Sequence, residues 1–319
     1  MNYLGIEVSS PFFLAPMAGV TDGAFRTVCR EYGAALTFTE MVSAMALYYN
    51  DKKTEALLRM DDSQRPCFAQ IFGNDPEKMA FAAQKVEMIC GPDGIDINMG
   101  CPMPKIVRNG DGSALMRDTD KIYKIVKAVK NAVSVPVTVK MRAGTDGEHI
   151  NAVSAASAAV SGGAGAVCVH GRTASMLYTG KSSRKIIAEV KKSVSVPVLA
   201  SGDIMTASDA LECMKETGAD CVMIARGARG DPFIFADCLK LYRGENADTH
   251  TAAEAADALL RQARLACAEK GEKKAIAEMR KHALWYLARI PGAKTLKIRA
   301  SYLSSLSELE VICGEVKAL

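Results

Sequence analysis

The chain carries ten cysteines, yet no two stand at the C-x-x-C spacing of a zinc or dithiol centre. Several sit inside apolar runs, as in Ala166-Val167-Cys168-Val169, where a thiol packs as a small hydrophobe. Histidine is scarce, with four in 319 residues, and no metal site is expected. No uninterrupted run of about 18 apolar residues exists, so no membrane-spanning helix is expected. Met1-Asn2-Tyr3-Leu4-Gly5 lacks a basic stretch leading into an apolar one, which argues against a secretory signal. Free cysteines without an export signal point to a reducing cytoplasm. The net charge of +4 permits an anionic partner without demanding one. What is present, 49% apolar and 24% charged residues, fits a soluble protein with a sizeable core. The length suits one large domain and a smaller one.

Short apolar runs recur at 12–15, 36–39, 68–71, 95–98, 137–139, 166–169, 198–200 and 221–224, with helix-like stretches between them. Most are continuously apolar, as strands buried on both faces should be. Val133-Ser134-Val135-Pro136-Val137 is repeated as Val194-Ser195-Val196-Pro197-Val198, each after a Lys-rich helical segment. Gly-Ala opens a strand at Gly33-Ala34, Gly165-Ala166 and Gly218-Ala219, the glycine stopping the helix before it. Eight such units favour an α/β fold closed as a (β/α)8 TIM barrel. An open dinucleotide-binding sheet would need a G-x-G-x-x-G, and 22–32 has none. After Gly244 the strand runs stop and helical spacing takes over, interrupted at Pro291-Gly292. The expected organisation is a barrel over 1–244 and a small all-helical domain over 245–319.

In a barrel the chemistry gathers at the C-terminal ends of the strands. Small residues after strands seven and eight, Ser201-Gly202-Asp203 and Ala225-Arg226-Gly227, let backbone N–H groups approach a phosphate. The bland alternative is two tight turns. Lys140 ends strand five and needs a partner, because a buried ammonium left unpaired is costly. Asp96 or Glu40 would serve, and so would an anionic cofactor. His170 poses the same question on the next strand. Cys101 differs from the other cysteines in lying on a loop, after a strand-end Asn98 and Gly100 and before Pro102. A thiol with a pKa of about 8.5 is mostly protonated at neutral pH and can donate a proton.

Asn98-Met99-Gly100-Cys101-Pro102, continued by Asn109-Gly110-Asp111-Gly112-Ser113, resembles the signature of the tRNA-dihydrouridine synthases, in a bacterial, B-type-like form. The similarity extends to Pro16-Met17-Ala18-Gly19, Gln70-Ile71-Phe72-Gly73, Val139-Lys140-Met141-Arg142, Val169-His170-Gly171-Arg172 and, in the tail, Lys281-His282-Ala283-Leu284-Trp285-Tyr286. The resemblance implies a bound FMN, reduced by NADPH, that saturates the C5=C6 bond of a uridine in the tRNA D loop. It assigns hydride transfer from flavin N5 to C6, and protonation of C5 to Cys101. Pro16, Met17, Ala18, Gln70, Lys140 and His170 would line the flavin ring. Ser201, Gly202, Asp203, Ala225 and Arg226 would cradle its phosphate. Asn98 would hold the uracil, and Arg142 and Arg172 would face substrate or phosphate charge. Two loops depart from the family pattern. Ser201-Gly202-Asp203-Ile204 replaces Asn-Gly-Asp-Ile, and Ala225 to Phe233 replaces a Gly-Arg, small residues, Gly, Pro-Trp run.

From Lys270 to Arg299 nine basic residues face only Glu272 and Glu278, a local charge of about +7. Within it Lys273, Lys274 and Lys281 are the expected tRNA contacts, since such a patch binds RNA phosphates with little sequence preference. A solvated helix face is the plain alternative. The target uridine would have to flip out of the folded tRNA into the barrel. A monomer is expected, with no membrane or metal partner. The rival enzyme is an FMN barrel acting on a free pyrimidine, as dihydroorotate dehydrogenases do. The rival from another class is a catalytically silent tRNA-binding protein.

Overall fold

The computed structural model describes residues 1–319. Eight parallel strands make up the barrel sheet: β1 (Phe12–Leu14), β2 (Thr37–Phe38), β3 (Cys67–Phe72), β4 (Gly94–Met99), β5 (Val137–Arg142), β6 (Ala166–His170), β7 (Val198–Ser201) and β8 (Cys221–Ile224). They are hydrogen-bonded in the order β1-β8-β7-β6-β5-β4-β3-β2. The two ends meet where Leu14 N–H donates to Leu36 O and Ala35 N–H to Phe12 O, both at 2.9 Å. The sheet therefore closes on itself, as the eight apolar runs lead one to expect. An extra short strand, Val42–Ser43, pairs with the end of β3.

The outer helices are α1 (Gly23–Glu31), α2 (Ala44–Tyr48), α3 (Pro76–Cys90), α4 (Thr119–Ala132), α5 (Ala152–Ser161), α6 (Arg184–Ser193), α7 (Ala207–Thr217) and α8 (Ile234–Tyr242). Side chains cap the N-termini of six of the eight. Asp22 accepts from Phe25 N–H at the start of α1, and Asp75 accepts from Glu77 and Lys78 before α3. The repeated Val-Ser-Val-Pro-Val makes one kind of turn twice. Val133 ends α4 and Val194 ends α6 in extended conformation. The carbonyls of Pro136 and Pro197 then accept from Ile95 and Val167 of the neighbouring strands, at 2.9 and 3.0 Å. A proline has no N–H to lend a ladder, so it stands where only its carbonyl is needed.

Four helices follow: α9 (Ala252–Lys270), α10 (Glu272–Leu287), α11 (Lys294–Ala300) and α12 (Leu306–Val316). A Thr251–Glu254 capping box starts α9. Gly271, at φ 78°, ends α9 and begins α10 without a linker. The helices share an apolar core around Leu259, Ile276, Met279, Tyr286 and Leu309, and Ala24 of α1 and Phe233 before α8 belong to the same core. The helical part is thus packed onto the barrel. No helix is long and apolar enough to cross a membrane. The antiparallel pair Asn2–Tyr3 and Ile6–Glu7 has no counterpart among the expected elements. It sends Tyr3 into the barrel interior, where its ring meets Phe13 at 5.0 Å.

Candidate active site

A cavity of about 560 Å3 opens at the C-terminal ends of the strands. Every strand except β2 brings a lining residue from its own end or the loop after it, and β2 contributes Met41 just beyond. Of the residues anticipated from sequence, Pro16, Met17, Ala18, Gln70, Asn98, Cys101, Lys140, Arg142, His170, Ser201, Gly202, Asp203, Ala225 and Arg226 all line it.

A hydrogen-bonded chain runs beneath Cys101. Asp96, wholly buried on β4, accepts from Thr138 Oγ1 and from Gln70 Nε2, both at 2.6 Å. Gln70 Oε1 accepts from Asn98 Nδ2 at 2.9 Å. Asn98 Oδ1 then accepts from the N–H groups of Gly100 and Cys101, at 3.2 and 2.9 Å. An ionised carboxylate only accepts and two backbone N–H groups only donate, so both amide side chains between them have a single consistent orientation. Asn98 consequently offers the pocket an N–H, which meets only the weak acceptor Met41 Sδ at 3.6 Å. Burial raises the Asp96 carboxyl to about 6 against the hydrogen bonds from Thr138 and Gln70 and the charge of Lys140.

The Cys101 loop is also held from above. Ser113 N–H donates to Cys101 O at 3.0 Å. Gly112, at φ +59°, leaves room that a Cβ would take, 2.7 Å from that oxygen. Asn74 Nδ2 donates to Asp111 Oδ1 at 2.7 Å and to Asn109 O, fixing the segment in which Gly112 lies. Burial pushes the Cys101 thiol above its ordinary value, opposed by a hydrogen bond from Met103 N–H and by the charges of Arg142 and Lys140. The thiol is therefore protonated at neutral pH, yet it faces cations that favour its thiolate.

Neither partner considered for Lys140 takes it. Asp96 is engaged with Thr138 and Gln70, and Glu40 accepts from Gly19 N–H. The ammonium stands in the pocket wall without an ion pair. Burial lowers His170 to about 2, helped by Lys140, Arg142, Arg172 and Arg226, so its imidazole is neutral. After β7 and β8, the backbone N–H groups of Gly202, Asp203 and Ala225 donate to no group of the chain. Gly202, at φ +110°, admits no side chain, because a Cβ would overlap Ser182 Oγ and the His170 ring. Free amides beside a guanidinium are the donors a phosphate accepts from.

The two strand-end arginines differ from expectation. Arg172 does not line the cavity. It is buried and spends its nitrogens on Thr179 O, Gly180 O and the Asp203 carboxylate, which pairs with it at 2.7 Å. Arg142 reaches the cavity wall but is bound to Gly100 O, Thr173 O and Leu177 O, at 2.9, 2.8 and 3.0 Å. Both tie down loops, because a buried guanidinium must find acceptors wherever the backbone offers them. Asn74 is a supporting residue with no place in the sequence reading, and Asp96, considered there only as a partner for Lys140, instead anchors the Gln70–Asn98 chain. The spacing of an Asp two residues before Asn98 was the available signal.

A second cleft, of about 690 Å3, lies between barrel and helical part and adjoins the first at the loop after β1. Lys274 and Lys281 line it, and Lys273 is exposed outside it. The basic run is less free than its +7 suggests. Lys270 pairs with Asp22 at 2.5 Å and Glu278 at 2.6 Å. Arg289 pairs with Asp231 at 2.6 Å, Arg299 with Glu315 at 2.7 Å, and Arg280 donates to Leu303 O.

A closed parallel barrel with free amides after its last two strands, and a protonated thiol held at its mouth, has the form of a (β/α)8 barrel enzyme with its site at the C-terminal ends of the strands. The family model for dihydrouridine synthase (Dus) matches residues 13–317. The tRNA-dihydrouridine synthase B of Pseudomonas aeruginosa is 40% identical over 306 residues, covering 95% of this chain and 91% of that one. A probable tRNA-dihydrouridine synthase of Treponema pallidum is 37% identical, with coverage of 96% and 93%. The chain belongs to the dihydrouridine synthase family. Among solved structures, mandelate oxidase with (S)-2-phenylpropionate superposes with a TM-score of 0.50 at 20% identity, over 74% of this chain and 69% of that one, a likeness of fold.

Proposed function

We propose that this chain is a flavin-dependent tRNA-dihydrouridine synthase, with Cys101 as the acid that protonates uracil C5. The observation that carries the reading is a protonated thiol, fixed by the Asn98 carboxamide, in a cavity whose cationic Lys140 and free loop amides have no partner in the chain. An FMN fits these residues. Its phosphate matches the amides of Gly202, Asp203 and Ala225 with Arg226, and its electron-rich ring edge matches Lys140 and Gln70. Pro16, Met17, Ala18 and neutral His170 complete the wall around the ring.

When bound, the flavin supplies a two-electron hydride, drawn from NADPH, to C6 of the uracil. The thiol of Cys101 gives its proton to C5, so the double bond becomes single and a thiolate remains. That thiolate faces Arg142 and Lys140 and the Met103 N–H, which hold it until solvent returns a proton. Asn98 offers a donor, which matches a uracil carbonyl and mismatches the amino group of cytosine. Gln70 and Asp96 keep that donor turned outward. Arg142 and Arg172 act on the loops around the site rather than on substrate charge. The helical part over 245–319, with Lys273, Lys274 and Lys281 unpaired by any acid, supplies tRNA contacts, and the cleft beside Lys274 and Lys281 leads to the cavity mouth.

The experiment is direct. Purified protein loaded with FMN is incubated with NADPH and unmodified tRNA transcripts, and nucleosides are analysed for dihydrouridine. Dihydrouridine at a D-loop position is expected, missing from that same position in tRNA of cells lacking the protein. Turnover of free uridine or another free pyrimidine, with tRNA untouched, would instead make this a small-molecule reductase.

A further inference from the structure

The rim of the cavity carries two side chains that the proposed chemistry does not use, Tyr178 and Arg229, with Trp285 packed behind the second. Tyr178, in the loop between β6 and α6, is 57% exposed. The guanidinium carbons of Arg226 and Arg142 lie 5.1 and 5.9 Å from its ring centre. Beyond Arg226, the guanidinium of Arg229 lies 4.7 Å from the ring centre of Trp285 on α10. Arg229 has no carboxylate partner, and its Nε is buried without an acceptor.

The position of Arg229 is rigidly set. Gly230, at φ +68°, packs directly on the backbone of Trp285 and Tyr286, where a Cβ would overlap it. Arg289 of the helical part holds the Asp231 carboxylate at 2.6 Å and Gly227 O at 3.1 Å. The loop after β8 is therefore fixed at three successive residues to α10 and the turn that follows it. Arg229 also lies in the loop where this chain departs from its family's usual sequence.

Positive charge in and around the cavity is in excess. Lys140, Arg142, Arg172, Arg226 and Arg229 face two carboxylates on this side, Asp96 beneath Lys140 and Asp203, which is shared by Arg172 and Arg226. A flavin phosphate offsets at most two of the three surplus charges. The remainder calls for an anion that arrives with the substrate. Interleaved arginine and aromatic side chains beside such a surplus are what unpaired nucleotides bind, through ring stacking and phosphate contacts.

We propose that Tyr178, Arg229 and Trp285 form a ledge for the unpaired ribonucleotide adjoining the one inserted into the cavity. Its base stacks on the exposed ring of Tyr178, and its phosphate accepts from Arg229, which packs on Trp285. This rests on the reading of tRNA as substrate. It adds that the helical part acts on recognition through the barrel's own loop as well as through its lysines.

The test places 2-aminopurine on either side of the target position in a tRNA transcript and follows its fluorescence on binding to the FMN-loaded protein. Native protein quenches the probe on one side. Tyr178→Leu loses the quench and raises KM for tRNA about tenfold, with kcat falling far less, and Tyr178→Trp restores both. Arg229→Gln raises KM similarly and reduces the salt dependence of tRNA binding by about one phosphate contact. Flavin content and KM for NADPH stay at native values in both variants. Unchanged KM for tRNA in Tyr178→Leu and Arg229→Gln would overturn the ledge while leaving the enzyme a tRNA reductase. A raised KM for NADPH in place of tRNA would assign the ledge to the dinucleotide and overturn it equally. Failure of the underlying reading shows in the native protein, which would then neither quench the probe nor reduce any tRNA.

Discussion

The two cavities of this protein lie side by side and use charge in opposite ways. In the cleft between barrel and helical part, Lys270 meets Asp22 and Glu278, and along the same seam Arg261 meets Glu31 and Arg289 meets Asp231. In the barrel cavity Lys140 and Arg229 meet no acid, and three loop amides meet no acceptor. Paired charges hold two parts of a molecule together. Unpaired ones, kept at the cost of desolvation, mark where a ligand brings the opposite charge. The larger cleft is therefore mainly a seam, with Lys274 and Lys281 left unpaired along it, and the smaller cavity is the proposed reaction site.

Substitutions that blur this contrast have graded effects. Gly202→Ala puts a methyl group against Ser182 and His170 at a positive φ. It should weaken FMN retention about a thousandfold, or roughly 4 kcal/mol, by titration of the apoprotein. Retention within tenfold of native would show that the β7 loop is not the cradle. Next comes Asp96. Its folded value of about 6 lies above its ordinary 3.8, so between those pH values the folded chain holds a proton that the unfolded chain has lost. Stability from the neutral carboxyl is thus full below about pH 4 and fades as pH rises through 6, by roughly 3 kcal/mol. Asp96→Asn should flatten that dependence in denaturant melts taken from pH 4 to 7. An unaltered slope would assign it to other groups.

The seam should respond in stability and the exposed lysines in binding. Lys270→Met leaves Asp22 and Glu278 without their cation and should cost about 2 kcal/mol in unfolding free energy. A loss below half of that would mean the helical part is held by its apolar core alone. Reversing Lys273, Lys274 and Lys281 to Glu should leave stability nearly unchanged, since none of them is ion-paired, and weaken tRNA binding about tenfold at low salt. Equal tRNA affinity at low salt would move the RNA contact elsewhere.

Much of this was legible in the chain itself. Strands buried on both faces read as continuous apolar runs, so all eight barrel strands stand out, and barrel geometry turns their order into a ring of strand-end residues. Fourteen of the residues anticipated for the site line the one cavity there. What escaped depends on partners far apart in sequence. Arg142 looks like a substrate contact until Thr173 and Leu177 take its donors. Arg289 looks like part of an RNA-binding patch until Asp231, 58 residues away, claims it. The Asp96–Gln70–Asn98 chain joins two strands through side chains that alternate with apolar neighbours, a pattern equally suited to packing. The hairpin Asn2–Glu7 is too short to leave a periodic signal.

The central claim is that Cys101 serves the tRNA step alone, as its acid. Stopped-flow absorbance separates the two halves of the reaction in Cys101→Ala loaded with FMN. Reduction of the flavin by NADPH should proceed at the native rate, while its reoxidation by tRNA should slow by two orders of magnitude or more, about 3 kcal/mol in the barrier. Native-rate reoxidation by tRNA in that variant would contradict the account.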